Sequence, residues 1–315
     1  MNFSEQIKTE ILSKPIKEDH CKRAFISGLV RGSGKLYADE TEGLGVTFNA
    51  FSEQTAMLVV NYFEKLYDYE IREVSVSEDR LNKKDKFVLS VGGARAEEIL
   101  SDLGILKKVD GETVVNLKMF SPFVSRECCV KSFVKGLFLS AGSCTLPSSS
   151  TGGNTGYHLE IVFSHYTPAL ETSETLNKYG VKTKILKRKD NYVLYIKSAE
   201  EIKNFTAFLQ TPKAVLKITD LMINRELIND SNRRKNCDLG NLSRQIEAVS
   251  KQIEAIDKIK RANGLDELSA ELKETALARV DYPEETLSEL AERLSVSKSC
   301  LNHRLRKIVQ IAKEI

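Results

Sequence analysis

Tryptophan is absent from the 315 residues, proline occurs six times and histidine four times. No apolar run approaches the ~18 residues that a membrane-spanning helix needs, so no membrane partner is expected. The opening stretch MNFSEQIKTEILSKPIKEDH mixes charged and apolar side chains and lacks the apolar core of a secretory leader, which predicts a cytoplasmic protein. Cys21, Cys128, Cys129, Cys144, Cys237 and Cys300 show no paired CxxC spacing, and His20, His158, His165 and His303 are scattered. Neither zinc, nor a disulfide framework, nor any other cofactor is therefore expected. What remains is ordinary: 41% hydrophobic and 29% charged residues, enough to bury two or three cores.

The net charge of +3 hides a gradient. Residues 1–106 carry 14 Lys and Arg against 18 Asp and Glu, residues 107–212 carry 14 against 9, and residues 213–315 carry 19 against 17. Duplex affinity rests largely on phosphate neutralisation, so the acidic first third is a poor DNA surface and the basic middle third a better one. These thirds coincide with an internal repeat. CKRAFISGLVRGSGKL from Cys21 and CVKSFVKGLFLSAGSC from Cys129 align at an offset of 108, placing Phe25 on Phe133, Gly28 on Gly136, Leu29 on Leu137 and Gly34 on Gly142. The periodicity after each motif predicts strand, strand, helix, strand, strand, helix. In the first copy the helices are read at residues 53–67 and 94–103, and in the second at 168–179 and 199–209. The stretch GLVRGSGKL nearly spells a phosphate-binding loop, but its glycines are one residue too far apart and Leu36 stands where Ser or Thr is required.

The C-terminal run TLSELAERLSVSKSCLNHRLRKI, residues 286–308, carries the strongest signal. Leu287, Leu290, Ala291 and Leu294 recur at helical spacing, Ser295-Val296-Ser297 breaks the period, and Leu301, Leu305 and Ile308 begin a second stripe with Ser297 as its N-cap. Pro283 is expected to open the first of these helices. The second helix shows Lys298, Ser299, Asn302, His303, Arg304, Arg306 and Lys307, with no carboxylate between Ser297 and Ile308. That pattern is a helix-turn-helix whose second helix suits a major groove. Asn302 and Arg304 are the expected base readers; Lys298, Ser299, Arg306 and Lys307 are the expected phosphate contacts.

Two further basic clusters are candidates for phosphate or partner contacts. Lys182, Lys184, Lys187, Arg188 and Lys189 surround a predicted strand pair, with Lys182, Lys184 and Lys187 read as outward and Ile185 as inward. Arg233, Arg234 and Lys235 sit in the run SNRRKN, read as a linker between a helix carrying Val215, Ile218, Leu221 and Met222 and a longer one capped by Asp238. The stretch LPSSSTGGNTGY, residues 146–157, reads as a polar loop.

The two repeat motifs resemble the LAGLIDADG signature of homing endonucleases. In that family the signature helices pack through small residues and end in acids that hold a divalent cation. The resemblance places Gly28 and Gly136 at the close contact, and it places Ser33 and Ala141 where the metal-binding acids belong. Neither side chain can replace a carboxylate ligand for Mg²⁺, so no catalytic residue and no metal is assigned. Asp39 and Glu40, a few positions on, are poorly placed to substitute.

Degenerate repeats followed by a terminal helix-turn-helix resemble the WhiA family of bacterial regulators. HLEIVFSHYTPALE from His158, NRRKNCDLGNL from Asn232 and LSELAERLSVSKSCLNHRLRKI from Leu287 carry that likeness along nearly the whole chain. The implied fold is α+β, with two αββαββα repeats forming a saddle, then an all-α domain resembling the promoter-reading domain of sigma factors. The expected boundaries are 1–106 and 107–212 for the repeats, 213–263 for a helical linker and 264–315 for the reader. The implied function is sequence-specific transcriptional regulation in sporulation, cell division or chromosome segregation, without nuclease activity. The expected partner is promoter or operator duplex in the nucleoid, with a protein of the transcription machinery and a homo-oligomer as further partners. A metal-dependent LAGLIDADG endonuclease is the alternative from another class, and an RNA-binding role is a third.

Overall fold

The computed structural model of the chain describes residues 2–39, 43–71, 73–79, 84–119, 121–147, 156–262 and 264–314. It divides into two compact units, residues 1–223 and 224–315. The first unit opens with α1 (Phe3–Leu12), whose start is fixed by a capping box between Asn2 and Glu5. The first repeat then runs α2 (Asp19–Ser33), β1 (Lys35–Asp39), β2 (Gly43–Ala50), α3 (Glu53–Tyr67), β3 (Glu73–Asp79), β4 (Lys84–Val91) and α4 (Ala96–Asp102). A hairpin of β5 (Leu106–Val109) and β6 (Glu112–Val115) and a single turn, α5 (Ser121–Val124), lead to the second repeat. That repeat runs α6 (Glu127–Ala141), β7 (Gly142–Thr145), β8 (His158–Phe163), α7 (Tyr166–Lys178), β9 (Lys184–Arg188), β10 (Asn191–Ile196) and α8 (Ala199–Phe208). The polar run after Leu146 falls largely on residues 148–155, outside the described residues, as does Glu40.

The two sheets have matching antiparallel orders, β1-β2-β4-β3 and β7-β8-β10-β9, as the repeat requires. Between them α2 and α6 pack backbone to backbone. A Cβ built on Gly28 would lie 2.0 Å from the carbonyl oxygen of Phe133, and one built on Gly136 would lie 2.0 Å from that of Phe25. Glycine is the one residue that permits this approach, and the reciprocal contacts mark the internal twofold. Phe25, Leu29, Val134, Leu137 and Phe138, all buried, extend the contact into a core shared by both repeats. Arg31, half-buried at the far end of α2, donates to the carbonyls of Gly104 (2.6 Å), Asn116 (3.0 Å) and Lys118 (2.9 Å), tying the signature helix to the segment between the repeats. Burial holds that guanidinium at about 10.

The expected linker at residues 231–236 does not exist as a joint. One helix, α9, runs from Pro212 to Arg261 over 50 residues, with Asp238 inside it rather than at a cap. Between Pro212 and Arg261 no second proline occurs and Gly240 is the sole glycine, so nothing in the run SNRRKN stops a helix. Its first turn is anchored by Glu10, whose carboxylate accepts from the backbone N–H groups of Lys213 (2.8 Å) and Ala214 (3.1 Å).

The second unit contains the remainder of α9, a short 3₁₀ turn at Gly264–Glu267, α10 (Ala270–Asp281), α11 (Leu287–Arg293) and α12 (Lys298–Glu314). Ile256, Ile259, Leu272, Ala276, Leu290, Leu301, Leu305 and Ile308 form its separate core. Helix α11 starts later than Pro283 suggests, because Thr286 and Glu289 close a capping box. Among the described residues, no helix is long and apolar enough to cross a membrane.

Candidate nucleic-acid interface

The tight turn between α11 and α12 is fixed by its backbone. Leu294 ends α11, Ser295 takes a left-handed φ of 49°, and the N–H of Val296 returns to the carbonyl of Ala291 (2.9 Å). This is a Schellman closure with serine in the usual glycine position, and Val296 plugs the turn as its apolar contact. Ser297 then caps α12, its hydroxyl accepting from the N–H of Cys300 (3.2 Å). Leu301, Leu305, Ile308 and Ala312 are buried, which leaves the opposite ridge of α12 to solvent. Lys298, Ser299, His303, Arg306 and Lys307 are exposed there and Asn302 is half-buried. The free N-terminal turn adds N–H donors beside Lys298 and Ser299.

Arg304 is placed differently from the free base reader expected. Its side chain is 14% exposed and pairs with Glu271 of α10 at 3.2 Å. Its helical position, one residue from Leu305 and three from Leu301, turns it toward the neighbouring helix rather than the open ridge. A second cationic prop is Arg279, which is fully buried and donates to the carbonyl of Glu285 (2.9 Å), fixing the chain before α11. Arg293 lies 3.6 Å above the Tyr282 ring and pairs with Glu285. Sequence periodicity missed these contacts because each joins a helix to something outside its own period, α12 to α10 for Arg304 and α10 or α11 to the 282–286 loop for Arg279 and Arg293.

In the second repeat, strand register sorts the basic hairpin. Lys184 pairs with Tyr195 and Arg188 with Asn191, so Lys184, Leu186 and Arg188 share the face away from the buried Leu159, Ile161 and Leu194. Lys187 belongs to the other face with Ile185, since side chains alternate at a period of two, and its ammonium lies 6.0 Å from the Tyr192 ring centroid. Lys187 therefore leaves the face shared by Lys184 and Arg188 but is still exposed; Lys182 precedes β9 and is exposed, as is Lys189 at the turn. Arg188 is committed to Glu160 (2.9 Å), which also meets His158 Nε2 at 3.2 Å. Burial opposes the charge on Glu160, but the hydrogen bonds from His158 and Arg188 outweigh it and hold the carboxyl below its ordinary value. Arg233, Arg234 and Lys235 are exposed along α9, with Arg234 paired to Asp230 at 2.8 Å.

At the C-terminal ends of α2 and α6 lie Ser33 and Ala141, the residues expected at the acidic positions of the signature. The Ser33 hydroxyl is engaged by sheet one, accepting from the N–H of Asn49 (3.0 Å). Beside it, a Cβ on Gly32 would lie 2.0 Å from Ser140 Oγ, so the two helix ends touch through small side chains. At the opposite ends the twofold assembles something the spacing did not suggest. His20, Cys21, Cys128 and Cys129 place their ligand atoms within 4.8 Å of one another.

The comparisons with known proteins agree along the chain. The model of the WhiA N-terminal LAGLIDADG-like domain matches residues 19–106, that of the WhiA LAGLIDADG-like domain residues 130–228, and that of the WhiA C-terminal HTH domain residues 231–312. Over 320 aligned residues the chain is 33% identical to the probable cell division protein WhiA of Macrococcus caseolyticus, covering 100% of this chain and 97% of the relative. The chain belongs to the WhiA family. The WhiA of Bacillus licheniformis is 34% identical over 322 residues, again across 100% of this chain and 97% of the relative. Among solved structures, full-length DUF199/WhiA from Thermatoga maritima superposes with a TM-score of 0.59 at 25% identity, covering 100% of this chain and 99% of that one. The isolated N-terminal LAGLIDADG domain of DUF199/WhiA matches 66% of this chain and 90% of its own, with a TM-score of 0.50 at 22% identity. The C-terminal WhiA model begins within α9, which accords with Ala255, Ile256 and Ile259 belonging to the core of the reading unit.

Proposed function

We propose that this WhiA chain is a sequence-specific DNA-binding regulator of transcription, acting on cell division or sporulation genes in the cytoplasm at the nucleoid, without nuclease activity. The observation that carries the reading is the exposed ridge of α12, which offers Lys298, Ser299, Asn302, His303, Arg306 and Lys307 and no carboxylate. Asn302, His303 and Arg306 take the base edges, while Lys298, Ser299, Lys307 and the helix N-terminus hold phosphates. Arg304 positions α12 against α10 through Glu271 and does not read. Residues 264–315 are the reader, and the repeats within residues 1–212 are a scaffold whose open sheet face adds phosphate contacts through Lys182 and Lys184. The loss of both acids at Ser33 and Ala141 supports the absence of cleavage, since a Mg²⁺-dependent nuclease needs carboxylate ligands there.

A second copy of the chain is the protein partner this reading needs, because one helix-turn-helix reads too few base pairs for specificity. The surface for it lies on α9. Leu239, Leu242 and Ile246 are more than half exposed, and with Val249 and Ile253 they follow the alternating three-and-four spacing of a coiled-coil seam. The seam borders a groove of about 480 Å³ that Pro283 and Glu284 complete.

The test is selection of a randomised duplex pool by the full chain with Mg²⁺ present, followed by sequencing of the retained DNA. Wild type is expected to enrich one motif without cutting. Arg306→Ala and Asn302→Ala are expected to relax the preference at individual positions, each by about 1–3 kcal/mol. Enrichment that survives both substitutions, or nicking of the pool, would overturn the assignment.

A further inference from the structure

We propose that His20, Cys21, Cys128 and Cys129 form a zinc site that staples the two repeats together. The four residues lie at the N-terminal ends of α2 and α6, and the repeat offset of 108 relates them in pairs, His20 to Cys128 and Cys21 to Cys129. Each repeat thus donates two ligands at equivalent positions, and the close helix packing at Gly28 and Gly136 brings the pairs face to face. His20 Nδ1 stands 3.2 Å from Cys129 Sγ and 3.3 Å from Cys21 Sγ, and all four donor atoms lie within 4.8 Å of one another. Bonds of about 2.3 Å to sulfur and 2.0 Å to nitrogen in a tetrahedron require donor separations of roughly 3.5–3.8 Å, so rotamer adjustments of about 1 Å close the set.

The donor chemistry selects the ion. Three thiols and one imidazole are soft, tetrahedral ligands that suit zinc and exclude Mg²⁺ and Ca²⁺, which demand oxygen. Burial raises the Cys21 and Cys129 thiols above their ordinary value, so an ion must displace their protons as it binds. Three thiolates around Zn²⁺ leave one net negative charge, and the adjoining cavity of about 520 Å³ is lined by four cations, Lys14, Lys17, Lys131 and Lys135, against two carboxylates, Glu18 and Glu127, the latter paired with Lys131. Cys128 is exposed and opens on that cavity together with Cys21, giving the ion an entry path. The inference stands apart from DNA reading, since the ligands belong to the repeats and the reading helix to the other unit.

The experiment uses the full chain, purified under reductant without chelator, with metal content measured by elemental mass spectrometry. The chain is then stripped and titrated with Co²⁺. One zinc per chain is expected, together with the visible bands and thiolate charge-transfer absorption of tetrahedral cobalt. Cys128→Ser, at an exposed position that the fold tolerates, and His20→Gln are expected to weaken cobalt binding at least tenfold, whereas Cys237→Ser and Cys300→Ser leave it unchanged. Binding of Zn²⁺ should also protect Cys128 from alkylation. The proposal is overturned by any one of three results on chain shown to be folded by circular dichroism. These are absence of stoichiometric metal and of a cobalt spectrum, an octahedral spectrum, or equal binding by Cys128→Ser. An intact mass two hydrogen atoms lighter after air oxidation of the metal-free chain, with no cobalt taken up after reduction, would assign the cluster to a disulfide instead.

Discussion

Three residues carry separable consequences for stability. Because a Cβ on Gly28 would stand 2.0 Å from a backbone oxygen, Gly28→Ala must separate α2 from α6, and a loss of about 3 kcal/mol is expected in urea unfolding. Ser295 pays for the turn with a left-handed backbone at φ 49°, so Ser295→Gly is expected to stabilise the chain by about 1 kcal/mol without touching DNA affinity. Lys8 is the third. It is buried on α1 with its ammonium 4.6 Å from the Phe51 ring centroid, and desolvation lowers its pKa from 10.5 to about 8. A depressed lysine pKa means that the unfolded chain binds the proton more tightly than the folded one. Stability therefore carries a penalty below pH 8 that is relieved as pH rises from about 8 to 10.5. Lys8→Met is expected to raise stability at pH 7 by a few kcal/mol and to flatten the rise above pH 8, measured by unfolding across that range. An unchanged pH profile in Lys8→Met would assign the slope to other groups.

At the scale of elements, α9 is where the chain and its reading part company. The run SNRRKN looked like a joint because three adjacent cations between amides suggest solvent, yet solvation and helix are compatible, and Arg233, Arg234 and Lys235 are exposed along a continuous helix. Gly240 tests this directly. It lies inside α9, and a Cβ there would meet nothing within 4 Å, so Gly240→Ala should stabilise by roughly 1 kcal/mol if the helix persists and be neutral if the segment is a joint. Elements with strong local periods were legible: α3 has the bounds the pattern gives, and Ser297 caps α12 as read. The β5–β6 hairpin was missed although Asp110-Gly111 spells its turn, with φ of 50° and 87° at the two residues. Its strands are four residues each and mostly exposed, too short and too polar to show a period. Arg304 was misplaced for a different reason. Sequence reveals which face of α12 is apolar, but whether a flanking cation turns to solvent or to Glu271 depends on the helix packed beside it. Arg304→Ala is accordingly expected to lower the thermal stability of the reading unit by about 1 kcal/mol of unfolding free energy while leaving the enriched DNA motif unaltered. A changed motif would restore it as a reader.

For the whole molecule, the internal repeat was the most productive feature of the sequence, because a twofold fixes contacts that no local pattern contains. The offset of 108 anticipated the matched sheets, the family resemblance added the glycine contact, and the same offset sets His20-Cys21 over Cys128-Cys129, a pairing invisible to a search for CxxC spacing. A second symmetry is argued from α9. Leu239, Leu242 and Ile246 are too exposed to serve the core of the reading unit, and their seam runs on through Val249 and Ile253 to the buried Ile256. Burying such a seam against its own copy satisfies the spacing on both chains at once and gives two α12 helices related by a twofold, which requires an inverted-repeat operator. Sedimentation equilibrium of the full chain is expected to yield a dimer, and the double substitution Leu242→Glu and Ile246→Glu a folded monomer, since both sites are exposed and the charges repel only across the seam. The monomer should keep its affinity for an isolated half-site and lose at least tenfold for the full operator. A wild-type chain that stays monomeric while it protects both half-sites would require the second contact to come from the repeats, and neutralising Lys182 and Lys184 would then reduce the salt dependence of binding by about 0.9 per cation.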